Sequence, residues 1–230
     1  DIGTAKAGSE EQRMVPHHLI DVVTPDEDFN VARFQELAET AISDIASRGK
    51  TPILVGGTGL YIKAVVDGFL FPWEGASPGI RESLEEEAAQ KGQDVLYARL
   101  EEVDPEAAKK IHPNDTRRVI RALEVHITTG RPISELWREG RRRKKARLDR
   151  LVMVGLVRKR SELYERIDAR CDKMIELGLV EETKELLEQG YSGTLTSGQA
   201  LGYKEIVRYL KGECSIEEAV ELIKRDTRRY

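Results

Sequence analysis

The chain has 230 residues, 37 of them Lys or Arg and 41 Asp or Glu, and it is 40% hydrophobic, enough for one large domain or one domain carrying a smaller insert. No run approaches the ~18 apolar residues that would span a bilayer, and no signal-peptide pattern opens the chain. Cys171 and Cys214 lie too far apart for a disulfide framework or a metal site, so a reducing cytoplasm is the simplest compartment. The formal net charge of -4 argues at first against a nucleic-acid partner. The charges are segregated, however: acidic residues crowd 82–87, 101–106 and 181–188, and basic ones crowd 117–121, 138–150 and 225–229. Such a distribution permits a polyanion partner without requiring one.

Residues 18–23 make a short apolar run, predicted as a buried strand. Asn30 is a helix-capping residue, and Val31, Phe34, Leu37, Ala38, Ala41, Ile42 and Ile45 form a helical stripe that Gly49 ends. Residues 51–55 are predicted as a second strand, with Pro52 tolerated near its start. That run leads into Gly56-Gly57-Thr58-Gly59, and 60–67 is the next predicted helix. Strand, helix, strand, glycine turn and helix is the order of a doubly wound parallel α/β sheet.

A loop is predicted over 71–79, followed by helices over 80–90, 94–103, 105–111, 115–129 and 133–139 with no strand among them, which suggests an all-helical insert. The basic run 141–147 is expected to be a mobile, solvated loop. Residues 151–157 then form a near-continuous apolar run, predicted as a buried parallel strand returning to the sheet. Helices follow over 161–177, 180–189, 203–211 and 216–229. The expected division is an α/β core over 1–70, the helical insert over 71–148, and the rest of the core with C-terminal helices over 149–230.

Several short segments have residue types suited to chemistry, and each also has a plain structural explanation. Gly56 and Gly57, at the carboxyl end of a predicted strand, would let the backbone approach a ligand, with the Thr58 hydroxyl at the sheet's mouth. An ordinary strand–helix turn would use the same residues, and the Lys of a Walker A motif is absent. Arg117 and Arg121 stand one turn apart behind the Asn114-Asp115 cap and suit phosphate contacts, as against a solvated face with Arg121 paired to Glu124. Arg166 and Arg170 share a helix face that could reach a pyrophosphate or could pair with Glu162 and Glu165. Gln199 and Lys204 could meet bases and phosphates, and Tyr203 could stack, or the segment could simply lead into a helix. His112 and His126 are isolated and suggest no metal site.

The order of these segments is more specific than any one of them. Asp1-Ile2-Gly3-Thr4-Ala5-Lys6, Pro16-His17-His18-Leu19-Ile20-Asp21, Val55-Gly56-Gly57-Thr58-Gly59-Leu60-Tyr61, Ile111-His112-Pro113-Asn114-Asp115, Arg121-Ala122-Leu123-Glu124 and Ala200-Leu201-Gly202-Tyr203-Lys204-Glu205 occur in sequence. Together with Asp104-Pro105, Arg117-Arg118 and Arg166 to Arg170, they resemble the bacterial tRNA dimethylallyltransferases across essentially the whole chain. The resemblance implies a P-loop-NTPase-like parallel sheet core with an all-helical insertion domain that grips the tRNA anticodon arm. It implies transfer of the dimethylallyl group of dimethylallyl diphosphate to N6 of the adenine adjacent to the anticodon, with Mg2+ assisting and diphosphate leaving. A cytoplasmic monomer is expected.

Carried over by position, Thr58 matches a threonine at the reaction channel that also contacts tRNA, and Arg170 matches an arginine that holds the diphosphate; these two are the catalytic candidates. Gly56 and Gly57 would line the diphosphate site. Arg81, Arg117, Arg118, Arg121, Gln199, Gly202, Tyr203 and Lys204 match tRNA-contact positions, and no metal ligand is assigned. The basic run 141–147 is given only nonspecific phosphate attraction. In the family, the P-loop and the segment with the catalytic Asp precede the motif at Asp1, and an extension follows the last helix. The general base, the main diphosphate cradle and some tRNA contacts are therefore expected outside these 230 residues, which are expected to be inactive by themselves. Two rivals remain at this stage. An adenylate isopentenyltransferase would prenylate free nucleotides, and a noncatalytic RNA-binding module would bind tRNA without turnover.

Overall fold

The computed structural model describes residues 1–4, 6–68, 78–147, 151–191 and 197–229, and every regular element among them is a helix. The chain divides into two units, one made of residues 30–152 and the other of residues 1–29 with 153–230.

The first of these units is built from α2 (Val31–Ser47), α3 (Gly59–Asp67), α4 (Pro78–Lys91), α5 (Gln93–Val103), the short α6 (Pro105–Ala108), α7 (Thr116–Thr129) and α8 (Ile133–Arg147), numbered after α1 (Ser9–Met14) of the other unit. Asn30 caps α2 as its sequence implies, its side chain accepting from the Ala32 and Arg33 amides at 3.0 Å each. Helices α2 and α3 pack together, the Phe34 and Tyr61 rings lying 4.6 Å apart and Gln35 donating to the Ala64 carbonyl at 2.9 Å.

The larger core of this unit gathers around α7, which follows a helical period so closely that Val119, Ile120, Ala122, Leu123 and Val125 are all buried. The first four pack with Leu84 of α4, Leu96 and Leu100 of α5, and Ala107, Ala108 and Ile111. Asp104 ties the corner of this core. It is buried and accepts from the Ala107 amide at 3.0 Å and the Ser134 amide at 2.9 Å, so one carboxylate satisfies the first turns of both α6 and α8.

In the other unit, α9 (Arg160–Glu176), α10 (Leu179–Glu188), α11 (Tyr203–Leu210) and α12 (Ile216–Arg229) surround a second core of Cys171, Met174, Leu179, Tyr203, Ile206, Ala219 and Ile223. Gly178, at φ 98°, turns the chain from α9 into α10 through left-handed space that a side chain would resist. Helices α9 and α12 are laced by two ion pairs in antiparallel register. Asp168 accepts from Arg228 Nε at 3.0 Å, and one turn further along Asp172 meets Lys224 at 2.6 Å.

The predicted parallel α/β sheet is not found: no strand occurs among the described residues. The three runs read as strands fail for identifiable reasons. Within 18–23, Leu19 and Asp21 sit at φ 62° and 55°, left-handed values no strand accommodates, and Asp21 is drawn to Lys6 at 2.6 Å. Residues 51–55 and 151–157 form no regular element and have no ladder partner among the described residues, and their apolar side chains stand largely in solvent, with Leu156 96% and Val157 98% exposed. A short apolar run cannot by itself specify a ladder, which needs a neighbour of matching register.

The helices fare differently. Each of those expected from periodicity occurs, with its ends moved by a few residues. The basic run 141–147 belongs to α8 rather than to a loop, in keeping with the good helix propensity of Arg and Lys. Helix α1 had no apolar period to reveal it; Glu11 closes it by accepting from the Gly8 amide at 2.8 Å. Residues 71–77 of the predicted 71–79 loop lie outside the described residues.

Candidate functional site

The residues singled out from sequence fall into both units. Gly56, Gly57, Thr58, Arg81, Arg117, Arg118 and Arg121 lie in the unit spanning 30–152, whereas Arg170, Gln199, Gly202, Tyr203 and Lys204 lie in the other.

Residues 56–59 deliver the chain into α3. Thr58 is the residue before its first turn, and its carbonyl accepts from the Tyr61 and Ile62 amides at 3.0 and 3.1 Å. Its hydroxyl makes no capping bond. A methyl group added at Gly56, Gly57 or Gly59 would meet no atom within 4 Å. This turn is therefore open on its outer side, with the exposed Thr58 hydroxyl uncommitted to the helix.

Helix α7 organises the arginines. Asp115 caps it, accepting from the Arg118 amide at 3.2 Å while its carboxylate also sits 3.3 Å from Arg118 Nε. Nine residues beyond that cap, the Glu124 side chain is wholly buried, yet its Oε2 accepts from Arg121 at 2.8 Å and from Arg81 of α4 at 3.1 Å. The two guanidinium groups are only partly covered, so each keeps donors for an outside partner. Arg117 is exposed and makes no ion pair among the described residues. The Arg121–Glu124 pairing and the phosphate-binding expectation are thus compatible. A buried anion fixes cations whose other face remains available.

The turn before α7 is anchored as well. Gln93, at the start of α5, donates to Asn114 at 3.0 Å and accepts from Thr116 at 2.7 Å. His112 Nδ1 accepts from the Asn114 amide at 3.1 Å, which accounts for this histidine structurally.

In the other unit, Arg170 is exposed on α9 and has no ion pair among the described residues, whereas Arg166, one turn earlier, lies 3.6 Å from Glu162. Gln199 is exposed in the 3-10 turn Ser197–Gln199. Gly202 is buried at φ 99°, its amide donating to Glu205 at 2.9 Å, and Lys204 lies 3.4 Å from the same carboxylate. Tyr203 is buried, with its ring packed against Gly3 and its hydroxyl donating to Glu182 at 3.0 Å. Glu182 also accepts from the Ile2 amide at 2.9 Å. Burial, with the Glu182 carboxylate alongside, pushes the Tyr203 phenol well above its ordinary pKa. Tyr203, Glu182, Thr24, Phe29 and Leu186 line a cavity of about 620 Å3.

Sequence reasoning missed two features. Glu124 was visible only as a surface pairing, although an acid standing between Leu123 and Val125 on the buried stripe of α7 marks an internal anchor. The bridge from Ile2 to Glu182 joins residues too distant in sequence for any local pattern to reveal. No three His, Cys, Asp or Glu side chains converge on a possible metal position among the described residues. No helix among them is long and apolar enough to cross a membrane.

The IPP transferase family model matches residues 1–230. The tRNA dimethylallyltransferase of Caldanaerobacter subterraneus subsp. tengcongensis is 53% identical, over all of this chain and 73% of its own length. That of Carboxydothermus hydrogenoformans is 52% identical, over all of this chain and 73% of its own length. Among solved structures, the full-length tRNA isopentenylpyrophosphate transferase of Bacillus halodurans superposes with a TM-score of 0.66 at 45% identity, covering all of this chain and 70% of that one. A eukaryotic dimethylallyltransferase acting on tRNA superposes with a TM-score of 0.72 at 30% identity, covering all of this chain and 57% of that one.

Proposed function

We infer the function of this chain from one premise: it belongs to the IPP transferase family. Its reaction is transfer of a dimethylallyl group to tRNA, the activity carried in the names of relatives that match it from end to end. The observation that carries this reading is the family match over the whole chain at about half identity.

In the finer reading, dimethylallyl diphosphate is the donor and N6 of the adenine adjacent to the anticodon is the acceptor. The C1–oxygen bond of the donor breaks, a bond forms between C1 and N6, and diphosphate leaves with the bonding pair. The proton lost from N6 passes to a general base. An exocyclic amine conjugated to a purine is a weak nucleophile, so removing that proton helps the step. The leaving diphosphate gathers negative charge that fixed cations and backbone amides stabilise.

Arg170 suits the diphosphate because its guanidinium is exposed and no carboxylate pairs with it among the described residues. The open turn at Gly56 and Gly57 leaves room for close approach of a diphosphate, and the uncommitted Thr58 hydroxyl leaves a donor for the substrate. Arg81, Arg117, Arg118 and Arg121 take phosphates of the anticodon arm, and Gln199 and Lys204 form a second tRNA contact segment that the buried Gly202 and Tyr203 hold in place. The target adenine leaves its stack to react, as bases do when an enzyme works on them within a folded nucleic acid. The family resemblance also implies Mg2+; no cluster of three acidic, His or Cys ligands occurs among the described residues, and no step here is routed through it. A cytoplasmic monomer completes the proposal.

The test is incubation of the intact enzyme with labelled dimethylallyl diphosphate and either tRNA or AMP. Label should enter tRNA, at the adenine beside the anticodon, and not AMP. Transfer to AMP with none to tRNA would overturn the proposal.

A further inference from the structure

We propose that a groove along α11 and α12 carries the tRNA backbone onward from Gln199 and Lys204, with Arg208, Lys211 and Arg225 as its phosphate contacts. The proposal rests on the tRNA reading above and extends it to residues that reading does not use. The groove has a volume of about 690 Å3, and Gln199, Lys204, Arg208, Lys211 and Arg225 all line it.

Its geometry follows from the helix period. Lys204, Arg208 and the C-cap residue Lys211, itself in helical conformation, are spaced by four and then three residues, so they follow one face of α11 at successive rises of ~6 and ~4.5 Å. Ile206, off that face, is fully buried in the core, which fixes the orientation of the cationic row. Helix α12 supplies Arg225 from the facing wall and Leu222 beside it.

The carboxylates in the groove do not cancel this row. Glu205 is buried and accepts from the Gly202 amide; it also lies 3.4 Å from Lys204, whose ammonium stays partly exposed, so the row's net charge comes from Arg208, Lys211 and Arg225. Glu213 lies 3.4 Å from Arg208 and Asp226 lies 2.8 Å from Arg225, both guanidinium groups being half exposed. Exposed pairs of this kind are weak and exchange for a phosphate. Lys211 is exposed and has no ion pair among the described residues. Leu187 and Leu222 give the groove apolar lining between its cations. Apolar surface between cations suits a nucleic-acid strand, which presents sugars and base faces between its phosphates.

The experiment measures binding of tRNA to the intact enzyme across a series of KCl concentrations, for wild type, Arg208→Ala/Lys211→Ala and Lys211→Glu. Lys184→Ala, an exposed cation of α10 outside the groove, is the control. All three substituted residues have exposed side chains, and melting curves confirm folding. The double variant should weaken binding by about tenfold at low salt and flatten the slope of log K against log salt by about 1.5. Lys211→Glu should weaken binding further than loss of one contact, and Lys184→Ala should match wild type. If wild type prenylates tRNA while the double variant keeps the wild-type slope, the groove proposal is overturned and the function stands. If the double variant and Lys184→Ala flatten the slope equally, the effect is general charge and the groove is likewise overturned. Failure of wild type to prenylate tRNA would instead remove the reading on which the groove depends.

Discussion

Arg81 and Arg121, on two different helices, donate to the same oxygen of Glu124, at 3.1 and 2.8 Å. A carboxylate with no exposed surface is costly to ionise unless it is paired, and here two guanidinium groups pair it. The same contacts fix the spacing of two cations before any ligand arrives, so less ordering remains when a phosphate backbone binds. Glu124→Gln keeps the shape and removes the charge. It should cost about 1–3 kcal/mol of stability and raise KM for tRNA several-fold, with a smaller effect on kcat. Melting curves and steady-state kinetics check this. A variant that melts earlier yet keeps the wild-type KM would reduce Glu124 to a packing residue.

Arg117 and Arg118 are neighbours with different commitments. Arg118 lies beside the Asp115 cap, whereas Arg117 has no carboxylate against it among the described residues. Replacing Arg117 by Ala should weaken tRNA binding across sequences and lower the salt slope by about 1. Arg118→Ala should do less, because part of its charge is already answered. Binding measured at two or more salt concentrations separates them, and equal losses would contradict the ranking.

Thr58 permits a separation of stability from turnover. Its hydroxyl makes no capping bond to α3, so Thr58→Ala should change stability by less than about 0.5 kcal/mol. If the hydroxyl meets the substrate at the reacting end, the same variant should lose tenfold or more in kcat. Unchanged turnover in the variant would remove Thr58 from the site.

What was legible in the sequence follows the range of the interactions. Helices α2 and α7 carry their apolar period and N-caps within a single segment, so Asn30 and the Asn114-Asp115 pair could be read as boundaries from sequence. The glycine turn and the arginines of α7 were legible as residue types with a resemblance to support them. The sheet was misread because 51–55 and 151–157 are apolar runs whose pairing depends on a partner elsewhere, and extended apolar sequence does not encode its own register. Residues 18–23 were misread because two left-handed residues interrupt a run that composition alone makes strand-like. The Glu124 anchor and the bridge from Ile2 to Glu182 depend on tertiary neighbours, and no window of sequence contains both partners of Arg81 or of Ile2.

Tyr203 links packing in the second core to pH. Its phenol is pushed up by burial and by the Glu182 carboxylate, relative to an unfolded value near ~10. A raised pKa in an acid means that the folded state prefers the protonated phenol. The stability Tyr203 contributes is therefore fully present below about pH 10 and is lost as the pH climbs from there toward the folded value. Tyr203→Phe cannot ionise, so it should start less stable at neutral pH by about 0.5–1.5 kcal/mol for the lost hydrogen bond to Glu182. Its melting temperature should then fall less steeply than that of wild type above pH 10. Parallel declines in the two proteins would show that other groups govern the alkaline limb. Gly3→Ala probes the same contact from the opposite side. A Cβ at Gly3 would stand 2.4 Å from Cε2 of the Tyr203 ring, so the ring or the chain must move, at a cost of about 1–3 kcal/mol. Combining the two substitutions should be non-additive, because the two residues are in contact and a ring released from Glu182 can move away from the new Cβ.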